Sequence, residues 1–535
     1  MCAFQENIER AFATRHARAM NFLASRSRAF PALCAALAML PASFPAPAAD
    51  AARGRELAGQ YCASCHLLPD PAALTKLAWA HQIQPAMAKW LGLEAFDYEG
   101  DADGKLLREA GLFPPTPLVP ERDWFAIWDY YRDAASSQPA PQPAHTSPGP
   151  VLKQFRAHKI SLGQGAPMTS LVKIVPAQKR LYAGDAFAGN LFALDAPGDI
   201  RERWRLGSPP VDLVAGTDQL AVTAIGKLFP SDALEGSVQL ISSNSAAPRI
   251  VLDQLRRPTR AIPADLNGDG RQDFLVCSYG NKLGCCAWFE AQPDGKFEEH
   301  LLIDRPGALT AEVRDFNGDG RPDVMVLVAQ AREAVVLLVN QGRGRFEMVP
   351  ILEQPPTWGY SGMEIAEMDG DGRPDLITAN GDNGDFAVPL KGYHGIRIYR
   401  NDGTNHFTEK FFYPMHGAYK AVARDFDGDG DLDIAAIAFF PDFSVAAPVN
   451  FVYLENLGGW KFAPATFPES GDGRWMVMDA GDWDGDGDED IVLGSFVRGP
   501  TTIPVPPETQ ERWKQSGTSL LWLENLRKGP PAKAR

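Results

Sequence analysis

Five times between residues 265 and 490 the chain repeats a nine-residue acidic loop, and nothing else in the sequence restricts its folding as much. Position 1 is Asp265, Asp315, Glu367, Asp425 or Asp482, and position 3 is Asn267, Asn317, Asp369, Asp427 or Asp484. Position 5 is Asp269, Asp319, Asp371, Asp429 or Asp486, position 6 is always glycine, and position 9 is Asp273, Asp323, Asp375, Asp433 or Asp490. Oxygen donors at this spacing suit a hard cation such as Ca²⁺, with the glycine allowing the sharp turn. The backbone carbonyl at position 7 (Arg271, Arg321, Arg373, Asp431 or Asp488) can supply a further ligand. Without a cation, several carboxylates or amides would crowd together in every copy. Up to five Ca²⁺ ions are therefore expected. An EF-hand is excluded, because neither the flanking helices nor a glutamate at position 12 is present.

The loops start 50, 52, 58 and 57 residues apart, and each runs directly into an apolar strand such as Val324-Met325-Val326-Leu327-Val328. A second strand then ends at an asparagine (Asn340, Asn401, Asn456, Asn525), and a strand opened by phenylalanine (Phe297, Phe346, Phe407, Phe462) follows in the complete units. Units of about fifty residues built from several short strands are propeller blades. These units resemble FG-GAP or VCBS repeats, the calcium-bearing blades of integrin-like propellers, over residues 265–525. Residues 163–255 hold two more blade lengths of strand-rich sequence without acidic loops, giving seven blades. The last unit lacks its phenylalanine strand, while Phe155 to Ile160 belongs to no unit and matches residues 297–302. That segment is expected to complete the final blade and cover its open edge. His158 and His300 are then repeat residues rather than catalysts.

A different plan precedes the repeats. Residues 52–135 carry apolar positions at helical spacing over 54–61, 74–91 and 122–135. Between the first two runs lies Cys62-Ala63-Ser64-Cys65-His66, the spacing at which haem is joined through two thioethers while the histidine reaches the iron. No second Cys/His pair stands at zinc-ligand spacing. With Pro69-Asp70-Pro71 after the motif and a closing helix holding Trp124, Trp128, Tyr130 and Tyr131, the segment resembles a class I cytochrome c domain. The resemblance implies one covalent haem c, with iron held by His66 and, on the other side, by Met87; His81 is the rival sixth ligand. The expected fold is thus multidomain: a small all-α cytochrome c domain (residues 50–135), a proline-rich linker (136–150) and an all-β seven-bladed propeller (151–535).

Residues 1–49 read as a signal peptide, with Arg26 and Arg28 before the apolar run 29–40 and small residues at Ala46-Pro47-Ala48. Periplasmic or extracellular placement follows, without a transmembrane segment. A net charge of −15 with no basic cluster disfavours nucleic acid as a partner. In an oxidising compartment Cys277 could pair with Cys285 or Cys286, which flank the loop of a hairpin. The loops leaving the acidic-loop strands should share one face, where Tyr279, Asp385, His394 and Arg498 are candidate binding residues. No catalytic triad, P-loop or dinucleotide signature is present. The expected function is one-electron transfer by haem c, with a calcium-stabilised propeller that docks a redox partner protein, a small electron donor or acceptor, or an extracellular ligand. Two alternatives are a periplasmic haem-containing dehydrogenase whose propeller holds a substrate or quinone, and an adhesion protein with an accessory haem.

Overall fold

The computed structural model describes residues 47–143, 149–163, 165–242, 247–384, 390–499 and 504–527. The signal-peptide reading falls outside the described residues except for 47–49, which begin the first helix.

The helical segment opens with Pro47–Tyr61 and closes with Glu121–Ala134. These two helices cross at Gly54, where a Cβ would stand 2.3 Å from the Ala126 carbonyl oxygen and 2.6 Å from Tyr130 Cβ. Glycine is required there because the backbones touch. Between them, Asp70 Oδ1 accepts from Ala72 N (2.8 Å) and Thr75 Oγ1 from Ala78 N (3.3 Å), so each starts a helical turn. The helix then widens into a π turn over Trp79–Ile83 before continuing as Gln84–Trp90. Pro85 accounts for the wide turn, since its ring cannot sit against the carbonyl four residues earlier. A short helix, Gly104–Glu109, was not legible in the apolar spacing. Leu57, Ala58, Trp79, Ile127, Trp128 and Tyr131 form the core, with Cys62 and Met87 at its edge.

The described residues of the remainder form seven four-stranded antiparallel sheets, with one further helix at Pro507–Ser516. Six are continuous: residues 169–205, 210–256, 258–303, 308–354, 360–414 and 418–465 form blades one to six. Blade seven takes Trp475–Gly481, Asp490–Ser495 and Leu520–Asn525 from the end of the chain and Phe155–Ile160 from its beginning. The closing strand pairs Phe155 with Asn525, His158 with Trp522 and Ile160 with Leu520. Both the expected blade number and the expected closing segment therefore hold.

The first strand of each blade faces the axis, where most of the charged residues pair across blades. Arg260 of blade three reaches Asp212 of blade two (3.6 Å) and Glu312 of blade four (3.3 Å). Arg424 meets Glu364 (2.9 Å), and Asp479 accepts from Ile174 N (2.8 Å) while pairing with Lys173 (3.4 Å). Opposite charges around the axis offset part of the cost of burying ions between the inner strands. Between blades the packing is apolar.

Leu523, 1% exposed, lies in the cluster that Phe155 and Ala157 cover from the closing strand. Leu523→Ala should cost about 2–5 kcal/mol, read as a lower denaturation midpoint of the propeller at unchanged slope; an unaltered midpoint would mean that this closure does not hold the ring.

Candidate functional site: acidic loops on one face, a helical domain on the other

Each acidic loop connects the first and second strands of its blade, so all five lie on one face of the ring. Their position-9 aspartates turn inward: Asp273, Asp323, Asp375, Asp433 and Asp490 are at most 1% exposed. Asp323 Oδ1 accepts from Asn340 N (2.7 Å) and Oδ2 from Phe316 N (3.0 Å), tying the end of the third strand to the start of the loop. Asn401 and Asp375, Asn456 and Asp433, and Asn525 and Asp490 repeat the first of these bonds at 2.8–2.9 Å. The asparagine amides then donate to the carbonyl ahead of the aspartate, as Asn340 Nδ2 does to Pro322 O (3.0 Å). In blade three Trp288 Nε1 and Ala291 N take the place of asparagine on Asp273 (2.9 and 2.8 Å). The repeated terminal asparagines are visible in the sequence, but their partner across the blade is not.

Positions 1, 3 and 5 remain outward. In blades five, six and seven their carboxylate oxygens (Glu367, Asp369, Asp371; Asp425, Asp427, Asp429; Asp482, Asp484, Asp486) lie within 4.8 Å of one another. The loops differ in what balances this charge. In blades three to five the position-7 arginine folds onto the position-5 aspartate: Arg271 on Asp269, Arg321 on Asp319 (2.5 Å) and Arg373 on Asp371 (2.5 Å). Arg400 adds bonds to Asp369 (2.6 Å) and Asp371 (2.7 Å). In blades six and seven position 7 is Asp431 or Asp488. Burial and neighbouring Asp429 push Asp431 up to about 6, and burial and Asp486 push Asp488 up to about 8. Burial also raises Asp433 and Asp490 to about 7. Asp425 Oδ1, Asp431 Oδ1, both oxygens of Asp488 and Glu489 Oε2 are buried atoms with no hydrogen-bond partner. Blades six and seven thus carry the acidic loops most in need of a cation.

The opposite face holds the loops between second and third strands, and it carries the helical segment. Asp103 accepts from Asp232 N (2.7 Å) and Ser231 Oγ (3.1 Å) of blade two. Asp232 in turn accepts from the backbone of Asn281, Lys282 and Leu283 (2.8–3.0 Å) in blade three. Lys282 Nζ pairs with Asp101 (3.3 Å) and stands 5.6 Å from the Phe96 ring centre. Gln142 Nε2 donates to His394 O (2.9 Å) of blade five, so the proline-rich connection also rests on this face. Nearer the axis, Phe439, Phe440 and Phe496 pack with Met168, Leu228, Tyr419 and Met476, and Arg474 lies 3.7 Å over the Phe439 ring.

The candidate loop residues fare differently. His394 is wholly buried, and burial followed by the Lys391 charge lowers its basicity well below the usual value, so it is no solvated loop residue. Tyr279 is half-buried with Arg257 5.3 Å over its ring. Arg498 is exposed, and its carbonyl accepts from Arg474 Nη1 (3.3 Å). Asp385 lies outside the described residues. His158 and His300 prove equivalent: each bonds a glutamate (Glu524, 2.7 Å; Glu290, 2.9 Å) and stacks on a tryptophan (Trp522, 4.6 Å; Trp288, 4.5 Å). Cys277 and Cys286 face one another on adjacent strands, as a disulfide would need, yet Cys277, Cys285 and Cys286 are all free thiols. The hydrogen bond with Cys277, and then burial, raise the Cys286 thiol well above its usual value, and no disulfide joins Cys277, Cys285 and Cys286 in the structure.

In the helical segment the first helix ends at Tyr61, which places Cys62 and Cys65 in the following turn. His66 Nδ1 lies 2.9 Å from Leu67 O, so Nε2 is the ring nitrogen outside that contact. Met87 is half-buried on the core that Cys62 joins, whereas His81 is exposed. The Trp128 indole N–H in that core is buried without a partner.

Residues 265–326 and 315–378 match the model of the FG-GAP-like repeat. No curated protein matches the chain. Among solved structures, the N-terminal domain of Nup159 is 10% identical over 72% of this chain and 99% of its own, with a TM-score of 0.40. BBS1N in complex with ARL6DN gives 10%, 68%, 94% and 0.41 for the same quantities. A regucalcin from Agrobacterium tumefaciens str. C58, titled a calcium-binding protein, gives 10%, 58%, 98% and 0.35. The chain is a seven-bladed β-propeller with FG-GAP repeats. Among the described residues no helix is long and apolar enough to cross a membrane.

A carboxyl whose folded pKa lies above its unfolded value stabilises the fold below the unfolded pKa and loses that contribution as pH rises through the folded one. For Asp431, Asp433, Asp488 and Asp490 that window runs from near 4 to about 8. Chelator-treated protein should therefore melt at a lower temperature at pH 8 than at pH 5, and millimolar Ca²⁺ should restore the loss at pH 8. A melting temperature indifferent to both EDTA and Ca²⁺ would contradict cation binding.

Proposed function

We propose that the chain is an exported c-type cytochrome that transfers single electrons, with a Ca²⁺-braced propeller that positions the haem-bearing segment and docks its redox partner. The observation that carries this reading is the turn after the first helix that holds Cys62, Cys65 and His66, with Cys62 and Met87 packed on one aromatic core. Cys62 and Cys65 would attach haem c, and His66 and Met87 would bind its iron, which supplies a one-electron couple. These residues fit the group. The Leu67 carbonyl fixes the His66 ring so that Nε2 is the free donor, and the unpartnered Trp128 N–H is a polar atom available inside the core.

The chain's own contribution is orientation and shelter. Asp101 and Asp103 anchor the helical segment to blades two and three, and Gln142 anchors the connection to blade five. Trp79, Trp128 and Tyr131, with ring centres 4.5–6.2 Å apart, would exclude water from the ligand side. Ca²⁺ in the acidic loops would act on the far face, away from the redox chemistry. Export would place the protein in the periplasm or outside the cell.

Methionine ligation raises a haem potential and histidine lowers it. In protein made with c-haem maturation, Met87→Ala should abolish the low-spin six-coordinate spectrum and lower the midpoint potential, while His81→Ala should leave both unchanged. A spectrum that responds to His81→Ala and not to Met87→Ala would assign the sixth ligand elsewhere; no redox-active visible band in the wild type would remove the electron-transfer reading.

A further inference from the structure

Blades three and seven carry the same stacked histidine, and one residue beside it differs. In blade three the third strand, Cys285–Ala291, pairs with the outermost strand, Phe297–Ile303, so that Trp288 faces His300 and Glu290 faces Glu298. Residues directly opposite one another, and residues two apart on a strand, project on the same side of an antiparallel pair. All four side chains therefore share one surface. In blade seven the same positions are Trp522, His158, Glu524 and Arg156. Tryptophan, histidine and the first glutamate are common to both blades, but the fourth residue is an arginine in one and a glutamate in the other.

Blade seven is complete in itself: Arg156 Nη1 lies 3.2 Å from Glu524 Oε2, which His158 Nε2 also meets at 2.7 Å. In blade three the place of that cation is taken by Glu298, and like charges directly opposite one another destabilise a strand pair. Among blades three to seven this happens only in blade three. The pairs at that position elsewhere are Val339 with Glu347, Arg400 with Thr408, Glu455 with Ala463 and Glu524 with Arg156. The sister blade thus shows where a cation belongs, and blade three supplies three ligands around that place instead.

One ligand atom from each of Glu290, Glu298 and His300 lies within 4.8 Å of the other two. Ligand atoms about 2.0–2.2 Å from a tetrahedral Zn²⁺ stand about 3.4 Å apart, a closure within reach of a side-chain rotation. Two of the three groups are held in advance. The His300 ring stacks on Trp288 (4.5 Å, 27°), whose own indole N–H is fixed on buried Asp273 (2.9 Å). Asn267 Nδ2 donates to Glu290 Oε1 (2.8 Å). Outer partners of this kind orient the ligands of a metal site. Glu298 is exposed and can swing onto the ion. Imidazole together with carboxylate suits Zn²⁺, whereas Ca²⁺ takes oxygen ligands alone.

We propose that Glu290, Glu298 and His300, on the outer edge of blade three, bind one Zn²⁺ ion at a site distinct from the Ca²⁺ positions of the acidic loops. Three protein ligands leave the fourth tetrahedral position to water. The site does not depend on the haem reading.

The test titrates Zn²⁺ into the full chain in millimolar Ca²⁺, with a chromophoric chelator reporting free Zn²⁺. Wild type is compared with Glu298→Arg, Glu298→Gln, His300→Gln and Arg156→Glu, and the melting temperature of each without Zn²⁺ shows whether it is folded. Zn²⁺ taken up by thiols elsewhere is common to every variant and cancels in the comparison. Glu298→Arg and His300→Gln should each lose one equivalent of Zn²⁺. Glu298→Gln should weaken that equivalent by more than the roughly 10–100-fold that loss of an outer partner costs. Arg156→Glu should gain one equivalent, because it gives His158 and Glu524 the third ligand. Zn²⁺ should also raise the melting temperature of the wild type more than that of Glu298→Arg. The same Zn²⁺ stoichiometry and affinity in wild type, Glu298→Arg and His300→Gln would overturn the proposal, as would a wild type that binds none. Should the blade-three variants fail to fold, Arg156→Glu decides, and no added equivalent in that variant would overturn the proposal.

Discussion

The buried aspartate at the end of each acidic loop is the contact on which the propeller depends. In blades three, four, five and seven its oxygens accept backbone N–H groups at the start of its own loop and at the end of the third strand, so one side chain fixes loop shape and strand register together. In blade six the Tyr453 hydroxyl takes the place of the loop N–H on Asp433 (2.6 Å). These bonds offset part of the burial that pushes Asp375 up to about 6 and Asp433 and Asp490 up to about 7, and an aspartate stripped of either partner would lose that offset. The aspartate is buried at this position in all five of blades three to seven. With register fixed, the outward carboxylates are held close enough for their repulsion to matter, and a cation or an arginine must offset it.

The two faces of the ring then take different work. One face gathers negative charge in the acidic loops, most heavily in blades six and seven, where no arginine occupies position 7. The other face is built from the variable loops, and there the chain folds its own helical segment back onto blades two to five. Charge pairs along the axis and the aromatic cluster near Phe439 fill the centre. Separation of this kind would let a cation on one face stabilise the scaffold without touching the helical segment on the other.

Much of the ring was legible in the sequence because repetition amplifies a weak signal: one acidic turn is ambiguous, but five followed by apolar strands define blades. The closing strand was legible for the same reason, since Phe155 to Ile160 matches a repeat position left empty at the other end. What escaped was long-range. Nothing in the local pattern marks Gly54 as a helix crossing, Asp103 as an acceptor for blade two, or Asn340 as the partner of Asp323, because each depends on a residue far away in sequence or across a blade. His394 looked like a loop residue because it follows a polar stretch, yet the third strand of blade five begins directly after it and carries it into the interior. The cysteines show the limit of spacing arguments, since Cys277 and Cys286 are correctly placed opposite one another and remain thiols.

The account stands or falls on the chemistry of one turn. Peptide mass spectrometry of the full chain made with c-haem maturation, on the fragment that contains Cys62, Cys65 and His66, measures it directly. The account predicts a single haem on that peptide, bound through thioethers to both cysteines, and a fragment recovered with two alkylatable thiols or a Cys62–Cys65 disulfide would contradict it.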